Sequence, residues 1–370
     1  MTAGNRRKES EAIVTSLHLP FDLVTEILCR LPVKHLVPLR CVSKSWNSLI
    51  SADSKFAKKH LRLSTSSHDR HHLILTPTHS SPEFPVLCFP ISSIFSSTFT
   101  TTVKQFSYSI REILIKGAYA NRASTCDGML CFKIDASSAL LCNPSIRKLK
   151  ILPPLNLPKQ LFTLYTLVYD RFTNNYKIIV IYSTLGRKYE VNVHTVGTDY
   201  WRKIQDFPNP LFAPVPGIFV SDSVYWLVYD GGADVTPLIV SLDLEKESYQ
   251  NLSLPFKHAH FTTSLGTLRG CLSLLSQRDK FYDVWIMKEY GNEKSWTKLL
   301  SVPYMKECEV TRALDISKND QVLMEFHKDG KFNLVVYDFI NNIFKTSKFQ
   351  YSREYATTLQ VYVESLISPF

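Results

Sequence analysis

The period of the hydrophobic pattern changes once along the chain, between residues 63 and 70. Before that point apolar residues recur at helical spacing. Leu23, Ile27, Leu28 and Leu31 form one face after Leu19-Pro20. Pro20 suits a first helical turn, and Asp22 and Glu26 suit the positive end of the helix. Pro32 then stops the helix, because a residue preceding proline avoids the α region. Leu36, Leu39, Val42, Trp46, Leu49 and Ile50 continue the series, but Pro38 interrupts it. That predicts a short helix or turn before about residue 40 and a firmer helix from Ser43. A last amphipathic piece, Phe56 to Leu63, follows the capping run Ser51-Ala52-Asp53-Ser54.

From about residue 70 short β-rich runs alternate with polar turns. One turn signature recurs between apolar strands, at Asp127-Gly128, Asn174-Asn175, Ser221-Asp222-Ser223, Arg269-Gly270 and Asn319-Asp320. Positions 128, 175, 222, 270 and 320 lie 47, 47, 48 and 50 residues apart, with a weaker copy near Ser81. Strands running into Pro153, Pro208, Pro255 and Pro303 keep nearly the same beat, at intervals of 55, 47 and 48 residues. One period holds four strand candidates, for example Gly217–Val220, Val224–Val228, Leu238–Leu242 and Ser248–Leu252. Four strands in such a period match a propeller blade. The expectation is an all-β propeller of six blades, with seven as the alternative count. Tyr362 to Ile367 supplies a strand able to complete the first blade and close the ring. Stacked β-sandwiches, the competing architecture, would not require a constant period.

Composition adds bounds. The 370 residues are 45% hydrophobic and 21% charged, enough apolar material for a sizeable core in about two domains. Aromatic residues make up 12%, and there are only 12 glycines, which favours strands in the larger part. The net charge of +10 invites a nucleic-acid reading until it is located. Residues 1–70 hold twelve basic and six acidic residues, whereas the other 300 are nearly balanced. No Lys/Arg run exceeds three, so a nucleic-acid partner is not expected. The charged N-terminus has no apolar targeting core, and no apolar stretch approaches membrane-spanning length, so no membrane is expected. Eight cysteines without a Cys-x-x-Cys pair point to reduced thiols in cytoplasm or nucleus.

No constellation for catalysis, cofactor or metal emerges. Gly291-Asn292-Glu293-Lys294-Ser295 has only the tail of a phosphate loop and reads as a hairpin turn. His68, His71 and His72 beside Asp69 suggest a metal, but they adjoin the Ser/Thr-rich run 64–67, so a solvated linker is the reading. Cys126, Cys131 and Cys142 read as buried thiols, and Trp201, Trp226, Trp285 and Trp296 as inter-blade core. Loops 208–216, 230–234 and 257–260 are equivalent candidates for partner contacts.

The run from Leu19 to Leu36, with Leu-Pro, Ile-Leu and Leu-Pro-Val-Lys in order, closely resembles the start of a plant-type F-box. Leu39-Arg40-Cys41-Val42-Ser43-Lys44-Ser45-Trp46 and Leu49-Ile50 resemble its second half. Cys126-Asp127-Gly128-Met129-Leu130-Cys131, Leu141-Cys142-Asn143-Pro144-Ser145, Tyr169-Asp170, Val240-Ser241-Leu242-Asp243 and Tyr362-Val363-Glu364-Ser365-Leu366 resemble the F-box-associated, kelch-like interaction region. The resemblance implies a disordered N-terminus over 1–15, a small all-α F-box module over 16–63, a linker over 64–72 and a substrate-binding β-propeller over 73–370. It implies a non-catalytic specificity subunit of an SCF (Skp-cullin-F-box) ubiquitin ligase. The module would bind a Skp-family adaptor, and through it the cullin/RING ligase, while the propeller captures an unidentified target protein. The adaptor contacts implied are Leu19, Pro20, Leu23, Ile27, Leu28, Leu31, Pro32, Leu36, Leu39, Val42, Ser43, Trp46, Leu49 and Ile50. Lys34, Arg40 and Lys44 would steer the module onto an acidic adaptor. The alternative is a propeller lectin or enzyme with an unrelated helical cap, which requires a carboxylate cluster or a metal site at the channel mouth.

Overall fold

A computed structural model describes residues 19–76, 84–96, 104–108, 123–134, 137–155, 163–183, 188–208, 215–229, 237–256, 263–278, 280–305, 309–329, 331–352 and 358–370. The expected disordered segment 1–15, the repeat copy near Ser81 and most of the three candidate loops lie outside these residues.

Four helices come first: α1 (Phe21–Leu28), α2 (Val33–Leu39), α3 (Lys44–Ala52) and α4 (Ser54–Thr65). Pro20 caps α1 and Pro32 caps α2, so the prolines stand where a missing N–H costs nothing. Pro38 lies in the last turn of α2 and the helix ends one residue later. Ser43 caps α3, its hydroxyl accepting the Trp46 N–H at 3.2 Å. Asp53 caps α4, accepting the N–H groups of Lys55 and Phe56 at 2.8 and 2.9 Å.

The expected linker at 64–72 is not a solvated linker. Helix α4 runs to Thr65, a 3-10 turn spans His68–Arg70, and the first strand begins at His71. His68 Nε2 sits 2.8 Å from Asp315 Oδ2, and Arg70 donates to the Ser64 hydroxyl at 3.0 Å and to the Arg30 carbonyl. The Ser/Thr composition of the run gave no sign of partners 40 and more residues away.

The strands build six four-stranded antiparallel sheets. β1 (His71–Thr76), β2 (Phe84–Pro90) and β3 (Lys104–Tyr108) begin the first blade, with a short helix α5 (Ile91–Phe95) after β2. Blade 2 holds β4 (Ser124–Cys126), β5 (Met129–Lys133), β6 (Ala139–Asn143) and β7 (Lys148–Ile151). Blade 3 holds β8 (Thr163–Asp170), β9 (Asn175–Ser183), β10 (Tyr189–Thr195) and β11 (Trp201–Lys203). Blade 4 holds β12 (Ile218–Val220), β13 (Ser223–Tyr229), β14 (Pro237–Asp243) and β15 (Ser248–Leu252). Blade 5 holds β16 (Ser264–Leu268), β17 (Cys271–Arg278), β18 (Phe281–Met287) and β19 (Trp296–Pro303). Blade 6 holds β20 (Glu309–Ile316), β21 (Gln321–Lys328), β22 (Lys331–Asp338) and β23 (Ile343–Ser352).

The last strand, β24 (Thr358–Val363), pairs with β1 from His71↔Val363 to Thr76↔Thr358 and completes the first blade. The protein is therefore an α-helical module followed by a six-bladed β-propeller closed by its own C-terminal strand. The strand ends at Val363, and Glu364 onward leaves the sheet.

The recurring turn signature is the connection between the first two strands of a blade. Asp127, Asn174, Ser221, Asp222, Arg269 and Asp320 all have positive φ, as do Gly128 and Gly270. Such turns match the right-handed twist of paired strands but demand left-handed residues. Gly128 is needed twice over. Its φ is +76°, and a Cβ there would lie 2.4 Å from the Val363 carbonyl oxygen. Gly270 has the same φ but nothing within 4 Å of its Cβ position. Gly270→Ala is thus expected to cost only the left-handed penalty of about 1–2 kcal/mol, and Gly128→Ala clearly more. Chemical denaturation of both variants checks this; equal losses would show that the tail exerts no steric demand.

The core is a ring of inter-blade clusters. Trp226 and Trp296 are buried within them, while Trp201 and Trp285 are half-buried at their edges. Cys126, Cys131 and Cys142 are buried free thiols, as expected.

Candidate functional site

One cluster joins the two parts of the chain. Leu28, Val33, Leu36, Leu49, Ile50, Phe56 and Leu61 of the helices share a buried core with Met129, Cys131 and Leu141 of blade 2 and Leu167, Ile178 and Val180 of blade 3. Leu366 and Ile367 of the C-terminal tail belong to the same cluster. Asn143 holds the tail there, its amide donating to the carbonyls of Ser365 and Ile367 at 3.0 and 2.8 Å. At the joint's rim Lys58 of α4 donates to the Tyr169 hydroxyl at 3.2 Å and to the Asn174 side chain. The helices are thus welded to the face of the propeller that carries the first-to-second-strand turns.

Within the module His60 is fully buried, and its Nε2–H donates to the Leu31 carbonyl at 2.8 Å. Burial holds its pKa below the ordinary 6.5; the Leu31 carbonyl pulls it up and Arg70 pushes it further down. His194 in blade 3 is lowered for the same leading reason. The unfolded chain therefore takes up protons near pH 6.5 that the folded chain refuses, so stability falls as pH drops through that value. In His60→Gln, which keeps an N–H donor, the loss of denaturation midpoint between about pH 7.5 and 5.5 is expected to be smaller than in the parent. Identical slopes would remove His60 from the acid response.

The fourteen residues singled out in the sequence separate into three groups. Leu28, Leu36, Leu49 and Ile50 are buried in the shared core, so they shape the module from within instead of offering a contact surface. Leu31, Pro32, Leu39 and Trp46 are half-buried. Leu19, Pro20, Leu23, Ile27, Val42 and Ser43 are exposed. Leu23 and Ile27 stand one turn apart on α1 at 50% and 54% exposure, and Val42, just before α3, is at 60%. Phe21 also presents its ring to solvent and was not among the fourteen, although it sits inside the same motif. Helix α1 leaves these side chains outward because Leu28 and Cys29 are the positions it turns into the core. Large apolar side chains left outward on one small module are surface that a partner can bury. Lys34 and Lys44 are exposed on the same module, whereas Arg40 is half-buried and donates to the Val37 carbonyl at 3.0 Å.

No group of three or more metal-ligating side chains occurs among the described residues. His71 and His72 instead meet the carbonyls of Thr65 and Arg70, each at 3.0 Å. Gly291 to Ser295 is a hairpin connection between β18 and β19. No helix of the described residues is long and apolar enough to cross a membrane.

A helical module with an outward apolar face, fixed to a six-bladed propeller, defines a two-part interaction protein. The F-box domain matches residues 16–58, and the F-box associated beta propeller domain matches residues 89–369. F-box/kelch-repeat protein At3g23880 of Arabidopsis thaliana is 30% identical over 373 residues, covering 95% of this chain and 96% of that protein. F-box protein CPR1 of the same plant is 26% identical over 345 residues, covering 84% and 80%. The chain belongs to the plant-type F-box proteins that carry an F-box-associated β-propeller.

Proposed function

We propose that this chain is the substrate-recognition subunit of an SCF-type ubiquitin ligase. Its module docks a Skp-family adaptor, and through it a cullin/RING ligase, while the propeller holds a target protein. The observation that carries the reading is the outward apolar face of Leu19, Phe21, Leu23, Ile27 and Val42 on the F-box. The mechanism is proximity. A target held on a propeller that is rigidly joined to the module keeps its lysines near a ubiquitin-loaded enzyme, which raises effective concentration without new chemistry. Lys34 and Lys44 speed encounter with an acidic adaptor more than they add affinity.

The role is non-catalytic on this reading. Among the described residues that line the propeller's central channel, Arg312 is charged and none is a carboxylate, which supports this reading over the lectin or enzyme alternative. The described cysteines are free thiols, which suits the reducing cytoplasm or nucleus. Co-purification of the tagged full-length chain from plant cells tests the assignment. Recovery of an adaptor and a cullin is expected; their absence from a soluble, folded preparation would sink it.

A further inference from the structure

A cleft of about 470 Å³ lies between helix α4 and blades 2 and 3. Lys58, Leu61 and Arg62 line it from α4, and Asp127, Tyr169 and Tyr176 line it from the blades. Its size is that of a small-molecule pocket, and such pockets concentrate where two structural units meet. The floor is apolar and aromatic. Tyr169 and Tyr176 pair directly across the β8–β9 ladder, with ring centres 4.9 Å apart, and Leu61 is buried in the same cluster. Arg62, Thr65 and Ser66 are exposed at its edge, so solvent reaches the cleft beside the last turn of α4.

Most of its polar groups already have partners inside the protein. The Tyr176 hydroxyl donates to Asp127 Oδ2 at 2.9 Å. Lys58 donates to the Tyr169 hydroxyl at 3.2 Å, and its ammonium stands 5.4 Å from the centre of that ring. The Tyr169 hydroxyl donates onward to Asn174 Oδ1 at 2.7 Å. The hydroxyls of Thr65 and Ser66 donate to the carbonyls of Leu61 and Arg62 at 3.0 and 3.1 Å. Burial pushes the Asp127 carboxyl up, while the Tyr176 hydroxyl and the Lys58 charge pull it down, so its charge is answered from within. Arg62 differs. Among the described residues its guanidinium meets no carboxylate and no hydrogen-bond acceptor. A visitor to the cleft therefore finds an aromatic floor and one uncommitted cation at the edge.

We propose that this cleft binds a small organic acid with a flat aromatic body, its ring packed against Tyr169 and Tyr176 and its carboxylate paired with Arg62. Aromatic rings meet one another in offset or edge-to-face contact, which two tilted tyrosines can supply. A free guanidinium presents a planar fork that matches two carboxylate oxygens. A phosphate fits less well, because the Thr65 and Ser66 hydroxyls are already spent as donors. The ligand touches both the helical module and the propeller, so its binding stabilises the joint between them. The inference goes beyond the ligase reading and stands on the geometry of the joint alone.

The test uses the purified full-length chain with 2-naphthoate as probe. Naphthalene-2-carboxamide is the neutral match, and decahydronaphthalene-2-carboxylate is the acid without aromatic rings. Saturation-transfer NMR is expected to show saturable binding of 2-naphthoate, at least tenfold tighter than either match and weakened by added salt. The melting temperature is expected to rise with its concentration. Arg62 is exposed, so Arg62→Gln is expected to melt like the parent and to lose the preference for acid over amide. Ser66→Trp, which places an indole at the edge of the cleft, is expected to abolish binding. Lys246→Gln removes the same charge from an exposed turn of blade 4 and is expected to leave binding unchanged. Absence of saturable binding at millimolar 2-naphthoate, equal binding of acid and amide, or equal binding of the aromatic and saturated acids would each overturn the proposal. So would undiminished binding in folded Arg62→Gln, an equal loss in Lys246→Gln, or tighter binding of inorganic phosphate than of 2-naphthoate.

Discussion

Replacing Leu23 and Ile27 together by aspartate is expected to weaken binding of a Skp-family adaptor by at least about 100-fold, a loss of about 2.7 kcal/mol. Both side chains are half exposed in the free chain, so docking still has about half of each to bury. Burying a whole aliphatic side chain is worth roughly 1.5–3 kcal/mol, so half of two such side chains contributes about 1.5–3 kcal/mol. Carrying two carboxylates into an apolar groove adds a desolvation cost on top. The same exposure predicts that the fold hardly notices, with a melting temperature within about 2 °C of the parent, since exposed substitutions usually stay within about 0.5 kcal/mol. Leu36→Asp is the contrasting control. Leu36 is buried in the core shared by module and propeller, and its loss should lower stability and binding together. If the Leu23/Ile27 double variant binds like the parent, α1 is not the docking helix.

Deleting residues 358–370 is expected to lower the melting temperature by more than about 10 °C, or to abolish soluble expression, because several kcal/mol of structure go at once. The deletion takes the inner strand out of blade 1 and exposes the paired edge of β1 over its full length. It also withdraws Leu366 and Ile367 from the core under the helices and leaves the buried Asn143 amide without its acceptors. Deleting Phe370 alone provides the control. Its ring is exposed, with the Lys148 and Lys150 ammonium groups about 6 Å from its centre, so the effect should stay within about 0.5 kcal/mol. Comparable damage from both deletions would mean that ring closure is not what the tail provides.

Much of this was legible in the residues, for reasons that are local. The turn signatures could be read because left-handed backbone favours Gly, Asn and Asp, and the turns at 127–128, 174, 221–222, 269–270 and 320 repeat that demand in blades 2 to 6. The strand candidates of blade 4 lie within one residue of β12 to β15, because β13 and β14 are buried as continuous apolar runs bounded by turn residues. Helix starts were set by Pro20, Ser43 and Asp53, whose effects reach only three residues. What escaped depends on long-range pairing. Asn143 meets Ser365 across 222 residues, and nothing beside either residue announces the other. The junction at 64–72 looked like a linker because its serines and histidines find their partners in distant elements, His68 against Asp315 among them.

The proposed docking face is half legible. The motif marks the module, but the helical period alone cannot say which apolar residues turn inward, so it groups Leu28 and Leu36 with Leu23 and Ile27.

The central claim is that the module docks a Skp-family adaptor, and it is tested most directly by mixing the purified full-length chain with purified adaptor. Size-exclusion chromatography with light scattering is then read for mass. A single species containing one copy of each protein, lost in the Leu23/Ile27 double variant, is expected. Separate elution of two folded proteins at micromolar concentrations would contradict it.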